Sequence, residues 1–249
     1  MTEDVNPEAI MDFLKPRMGA RFKTWVEICT HCGMCADTCH FYLASGKDPK
    51  MIPSYKVRFL KDLLRKKGRV DKEYLQKIYE TVYYECNVCR RCTLYCPFGI
   101  DIAFLISTLR GMLTALGIAP EGLKKAVENY RLTGNQMAVS KEDWVETLQW
   151  CEEETASEIL GLTIPIDKKG AKIMYTVNAR EPKFYPQDIM EVAKIFTVAG
   201  EDWTFPSEKG WDDTNLAMFI NDAATARMVA ENTFKRAEEL GVKQVAITE

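Results

Sequence analysis

The chain of 249 residues contains only two histidines, His31 and His40, and each stands next to a cysteine or one residue from it. Catalysis that relies on histidine as a base has little material here. No Ser-His-Asp or Cys-His nucleophile arrangement is visible, and neither is a glycine-rich phosphate loop or a flavin or nicotinamide fingerprint. Long apolar runs are missing as well. The most apolar stretch, Ile102 to Leu109, is interrupted by Ser107 and Thr108. It falls far short of the roughly 18–20 residues that cross a bilayer. The N-terminus, Met1-Thr2-Glu3-Asp4, is acidic and no apolar leader follows it. A cytoplasmic chain is therefore expected, touching a membrane only through a partner. Basic clusters are sparse too: the densest, Arg65-Lys66-Lys67, is short and gives nucleic-acid binding little support.

Cysteine, by contrast, is plentiful and ordered. Eight of the nine cysteines form two copies of one pattern. The first is Cys29-x2-Cys32-x2-Cys35-x3-Cys39, and the second is Cys86-x2-Cys89-x2-Cys92-x3-Cys96 followed at once by Pro97. This is the ligand run of bacterial ferredoxins that hold [4Fe–4S] clusters. Iron–sulfur clusters favour soft thiolate ligands. Three cysteines at steps of three can turn inward from one tight loop, but a short loop cannot encircle the cube, so the fourth ligand comes from elsewhere. In two-cluster proteins the distant cysteine of each run ligates the other cluster. The expected ligands are Cys29, Cys32, Cys35 and Cys96 for the first cluster, and Cys86, Cys89, Cys92 and Cys39 for the second. Such crossed ligation would also staple the fold, because binding energy at these sites is folding energy.

Other uses of the cysteines fit less well. Zinc takes four ligands and has no use for a third cysteine at the same step. Disulfides are disfavoured in a chain read as intracellular. Clusters that only staple suit the pattern less than clusters brought close for conduction. His31 sits in a spacer whose site already has four thiolates. Arg90 and Arg91 flank Cys89 and Cys92, and could either raise a cluster potential or dock an anionic partner, or simply be solvated. Cys151, outside both runs, reads as an ordinary buried thiol. Pro97 and Gly99 would shape the exit from the second loop.

The first 118 residues carry 18 Lys and Arg against 13 Asp and Glu, and the remainder 15 against 23, within a formal net charge of −3. The structural rhythm changes along with the charge. The first half reads as helical. Tyr55 to Lys67 carries a stripe of Val57, Leu60 and Leu64, with Leu63 beside them, and stops at Gly68. Asp71 caps a helix with Leu75, Ile78 and Val82 on one face. Asp101 caps Ile102 to Leu116, and Pro120 opens Glu121 to Leu132. Ser140-x-x-Asp143 resembles a capping box ahead of Trp144, Leu148 and Cys151. From about Lys168 strands alternate with helices. The strands are Ala171–Val177, Asp202–Phe205 and Val242–Ile247. The helices are Pro186–Ala199 and Asp222–Leu240, the latter with Ala226, Val229, Ala230, Phe234 and Ala237 on its inner side. That alternation implies a parallel sheet covered by helices. The expected fold class is α plus α/β. Residues 1–135 form an α-helical dicluster ferredoxin-like domain, 136–167 a connecting helix and linker, and 168–249 a partial α/β domain.

The stretches RFKTWVEICTHCGMCADTCHFYLASGKDPK, YECNVCRRCTLYCPFGIDIA and RLTGNQMAV resemble the D-type subunits of the heterodisulfide reductase family, including its Dsr- and Hme-type iron–sulfur subunits. KKGAKIMYTVNARE, DWTFPSEKGWD and ELGVKQV extend the resemblance over nearly the whole chain. It implies a helical module with two [4Fe–4S] clusters held by the eight cysteines, followed by α/β cysteine-rich domains. It also implies a membrane-bound b-type cytochrome partner that oxidises quinol. The electrons would go to a disulfide, or to the trisulfide of a small sulfur-carrier protein, in sulfur metabolism. The chain would then lie on the inner face of the cytoplasmic membrane. The family's CCG motifs, which hold the disulfide-reducing site, are absent from this sequence, so no catalytic residue is assigned. The resemblance suggests continuation past Glu249, through a selenocysteine codon read as a stop or through a split gene. The downstream nucleotides test that expectation. Two other readings stay open: the iron–sulfur subunit of a flavin-linked dehydrogenase of the glycerol-3-phosphate or glycolate type, and a free-standing ferredoxin-like carrier.

Overall fold

A computed structural model describes residues 5–248 and divides the chain into two compact units. The first comprises Met1–Pro120 with Phe219–Asp222, and the second Glu121–Met218 with Ala223–Glu249. This division falls at Pro120, earlier than the boundaries 135 and 168 drawn from the sequence. The reason is burial: Trp144, Leu148 and Cys151 of the expected connecting helix pack into the same apolar core as Tyr175, Val177 and Ile189. The segment expected to be a linker is thus part of the second unit's wall.

The first unit is helical. Its main helices are Pro7–Leu14, Ala20–Glu27, Pro53–Arg65, Lys72–Tyr83 and Ile102–Ala115. Helix starts follow local chemistry. The Asp71 carboxylate accepts from Tyr74 N–H at 2.8 Å, and Asp101 accepts from Phe104 N–H at 3.0 Å. Each satisfies an amide that the first helical turn leaves without a partner. The Pro53–Arg65 helix begins on Pro53, whose missing N–H costs nothing at that position. Its chain reverses at Gly68, which holds φ +75° and lies so close to Pro7 that a Cβ there would sit 2.6 Å from the Pro7 carbonyl oxygen. Ile102–Ala115 is the central element: Leu105, Leu109, Met112 and Leu113 are fully buried. It packs against Pro7–Leu14, Pro53–Arg65 and Lys72–Tyr83. The inner face of Pro53–Arg65 is Lys56, Phe59, Leu60 and Leu63, not the Val57, Leu60 and Leu64 stripe expected from the sequence. The helix is rotated so that one lysine points inward.

The second unit holds a three-stranded parallel sheet in the order β2-β1-β3, with β1 Ile173–Tyr175, β2 Trp203–Thr204 and β3 Gln244–Ala246. Ile173 pairs with Trp203 on one side and with Gln244 on the other. The crossover helices are Pro186–Ala199 and Ala223–Leu240, as parallel strands require. Lys141–Thr155 starts where expected, with Ser140 Oγ accepting from Asp143 N–H at 3.0 Å. Its Trp144 is fully buried, stacked on Trp211 at 4.4 Å between ring centroids, and donates Nε1–H to Pro206 O at 2.9 Å. Ala223–Leu240 departs from the expected face. Thr225, Val229, Ala237 and Leu240 are buried, whereas Phe234 is 65% exposed. Apolar spacing alone was compatible with either rotation. Among the described residues no helix is long and apolar enough to cross a membrane.

Candidate functional site

The two cysteine runs fold into the same local shape. In the first, His31 and Gly33 take left-handed φ values of 58° and 85°. A short turn, Met34–Asp37, then follows, with Ala36 N–H bonded to Gly33 O at 2.8 Å. In the second, Val88 and Arg90 occupy the equivalent places with φ 58° and 67°. The turn Arg91–Leu94 follows, with Thr93 N–H bonded to Arg90 O at 2.9 Å. Left-handed residues in alternation curl the chain and turn successive N–H groups toward a concavity suited to negative charge. Only Gly33 adopts this conformation without strain; a β-branched Val88 there is a true outlier, of the kind that clusters at functional sites. Val88 N–H lies 3.4 Å from Cys86 Sγ, so the strain aims a donor at a sulfur.

The fourth cysteine of each run lies one turn further on. Cys39 immediately precedes the His40–Ala44 helix, and its N–H is bonded to Ala36 O at 3.0 Å. Cys96 N–H bonds Thr93 O at 3.3 Å, and Gly99 N–H bonds Cys96 O at 3.1 Å, closing the turn through Pro97. The result is two cavities. Cys29, Cys32, Cys35 and Cys96 wall the first, with Trp25, Phe98 and Ile100 as apolar neighbours. Cys39, Cys86, Cys89 and Cys92 wall the second, with Phe41, Pro53 and Ile106. Each cavity thus takes three cysteines from one run and one from the other. Cys32 and Cys89, the middle members, are exposed at the rims, while Cys35 is buried.

Burial and mutual proximity of the sulfurs both disfavour free thiolates at these positions. Burial pushes the Cys92 thiol up to about 12, with the neighbouring Cys86, Cys35, Cys89 and Cys39 adding to the rise. Thiolates cannot gather there unless a cation core offsets their charge, and a metal does so by deprotonating its thiol ligands outright. Burial also raises Cys35, against which the Ser54 N–H and hydroxyl at the start of the Pro53–Arg65 helix act as donors. Cys86 is raised by burial and pulled back by the Val88 N–H, Arg110 and Lys56. Among the described residues no three His, Cys, Asp or Glu side chains converge on a single ion. The four cysteines of each cavity are the soft donors that an iron–sulfur group takes. Ile102 lines both cavities, which therefore lie side by side.

Of the other residues singled out from the sequence, His31 lines the first cavity with Nδ1 3.9 Å from Cys29 Sγ. His40, Arg90 and Arg91 line the second. Arg90 is tied to Asp101 at 3.0 Å. Pro97 lines the first cavity. Cys151 lies in the second unit, fully buried, with its thiol pushed up to about 11 by burial and near Pro186 O at 3.8 Å. Three contributors were not read from the sequence: Ser54, Lys56 and Arg110. The signal was available for two of them. A lysine three and four residues before Phe59 and Leu60, and an arginine inside the most apolar helix, are charges placed on core stripes.

Residues 25–100 match the family described as a 4Fe-4S dicluster domain. Two similar relatives are the Hdr-like menaquinol oxidoreductase iron-sulfur subunit 2 of Archaeoglobus fulgidus and the Hdr-like menaquinol oxidoreductase iron-sulfur subunit of Archaeoglobus profundus. Each is 28% identical to this chain, over 94% and 95% of its length respectively. The chain spans less than half of these relatives, 45% and 46% of their own lengths. No solved structure matches. The similarity to heterodisulfide-reductase-like iron–sulfur subunits read from the sequence is borne out by these relatives.

Proposed function

We propose that this chain is an electron-transfer subunit of a quinol-linked, heterodisulfide-reductase-like complex and carries two [4Fe–4S] clusters. The first would be held by Cys29, Cys32, Cys35 and Cys96, and the second by Cys86, Cys89, Cys92 and Cys39. The observation that carries this reading is the pair of adjacent cavities, each walled by four cysteines with one contributed across from the other run. When bound, such clusters supply one-electron chemistry, taking and giving electrons singly. The chain's own residues supply the rest. Eight thiolates hold the groups. Phe41, Ile100 and Ile106 keep water away from the cavity walls, and the Val88 N–H and the Ser54 donors face the sulfurs. The exposed Cys32 and Cys89 give each site an edge toward solvent, where a partner centre would come within reach.

The relatives' names supply the donor end, a menaquinol, and the resemblance supplies a membrane b-type cytochrome as the component that oxidises it. The acceptor end would be a disulfide or the trisulfide of a sulfur carrier in sulfur metabolism. No residue of this chain is assigned to that reduction. The chain would sit peripherally on the inner face of the membrane through its partner. The test is anaerobic preparation with metal and sulfide analysis. About eight iron and eight sulfide per chain, with reduced-state EPR from two interacting centres, is the expected result. Zinc in place of iron, or about four iron, would overturn the two-cluster reading.

A further inference from the structure

The two cavities differ in one respect that neither the cysteine pattern nor the relatives reveal. The second has two buried cations beside it. Lys56 is 2% exposed and lines that cavity, with its ammonium donating to the Glu85 carbonyl and lying 5.2 Å from the centre of the Phe41 ring. Arg110 is fully buried. Its guanidinium donates to Val82 O at 2.9 Å, Phe219 O at 2.9 Å and the Cys86 carbonyl. Every partner of these two groups is a neutral carbonyl or an aromatic face. Among the described residues neither meets a carboxylate, and both act on the Cys86 sulfur. The first cavity is also lined by cations, Lys61 and Arg58. Lys61, however, is paired with Glu27 at 2.7 Å, and their side chains are 55% and 65% exposed, so water screens them. Arg58 is likewise exposed and donates to the Tyr55 hydroxyl.

An unpaired buried cation is destabilising unless an anion answers it. Two of them beside one cavity imply an anionic occupant there. We infer that Lys56 and Arg110 set the potential of the second site, making it the more easily reduced of the two, so that electrons entering at the first site come to rest at the second. This rests on the two-cluster reading above. Uptake of one electron adds one negative charge to the site. A desolvated cation stabilises that added charge far more than an exposed one does, because the local dielectric is low. Both are positioning residues: they act on the occupant through space and through the Cys86 and Glu85 backbone, and ligate nothing.

The test uses the full chain, prepared anaerobically with its iron, in EPR-monitored titrations with a chemical reductant. Cys89→Ser identifies which signal belongs to the second site. Lys56→Gln keeps a donor for the Glu85 carbonyl and removes the charge. It is expected to lower the reduced-to-oxidised ratio of that centre about tenfold at fixed ambient potential, equivalent to about 59 mV for a one-electron couple. The other centre shifts much less, and Lys56→Arg restores the wild-type value. Lys56→Met serves as a second charge-free variant should Lys56→Gln lose iron. If charge-free variants holding the wild-type iron content leave the second centre's midpoint unmoved, or move both centres equally, the inference fails while the two-cluster reading stands. If wild-type chain lacks two iron centres, the reading beneath it has failed instead.

Discussion

Asp212 provides a quantitative test of how the second unit is built. Its carboxylate is fully buried. Oδ2 accepts from Gln136 N–H at 2.7 Å, and Oδ1 from Thr214 N–H at 3.1 Å and Ala179 N–H at 3.2 Å. It therefore ties three separate segments of the unit together. Burial raises its pKa from 3.8 to about 6, and the three amides only partly offset that rise. The folded chain therefore holds this proton more tightly than the unfolded chain. Below about pH 4 both states are protonated and the group contributes no pH dependence. Between about 4 and 6 the unfolded chain ionises first, so stability falls as pH rises. Only well above 6 are both ionised and the cost constant. A rise of about two pH units at 1.36 kcal/mol each comes to roughly 3 kcal/mol in all, of which somewhat over 1 falls between about pH 5 and 7. The comparison is wild type against Asp212→Asn, unfolded in urea at a series of pH values. Trp144, Trp150, Trp203 and Trp211 of this unit dominate the tryptophan fluorescence that follows it. Taking the difference removes every titration the two proteins share. Wild type is expected to lose stability relative to the variant as pH rises through that window. A flat difference, or one of opposite slope, would refute the burial argument.

Other consequences are as direct. Arg110→Met leaves three carbonyls, one buried and two part-buried, without their charged donor, each worth about 1–3 kcal/mol, partly offset by removal of a desolvated charge. A net loss of about 3 kcal/mol is expected in urea unfolding, and a loss under about 1 kcal/mol would contradict the packing described. Trp144→Phe removes the bond to Pro206 and part of the stack on Trp211. It is expected to cost about 1–3 kcal/mol by chemical denaturation, with iron content unchanged. Gly68→Ala meets both an unfavourable φ and the Pro7 carbonyl. It should cost more than Gly46→Ala, where φ is +69° but the added methyl meets open space, and thermal melts of the two variants side by side decide it.

Much of the framework was readable from residue order because it is set by local chemistry. Asp71, Asp101 and Ser140 each start a helix by accepting a bond from the amide three residues on, and side chains of that kind before an apolar run announce it. The cysteine spacing was readable for a related reason, since ligand geometry leaves few spacings that can surround a cube. What was not readable depended on rotation. Pro53–Arg65 and Ala223–Leu240 each carry apolar residues around much of their circumference. Tertiary packing chose the face, which left Phe234 outside, and no periodicity names the Glu85 carbonyl to which the inward Lys56 donates. The same limit moved the domain boundary, because nothing local marks Trp144 and Leu148 as core of the α/β unit. Arg110 shows it most plainly: its three acceptors are backbone groups of residues 82, 86 and 219, which no pattern of side chains encodes.

The central claim is that each run lends its last cysteine to its neighbour's site. Cys39→Ser and Cys96→Ser, prepared anaerobically and examined by EPR beside Cys89→Ser and Cys32→Ser, test it directly. The account predicts that Cys39→Ser perturbs the same signal as Cys89→Ser, and that Cys96→Ser perturbs the same signal as Cys32→Ser. Pairing of Cys39 with Cys32, and of Cys96 with Cys89, would contradict it.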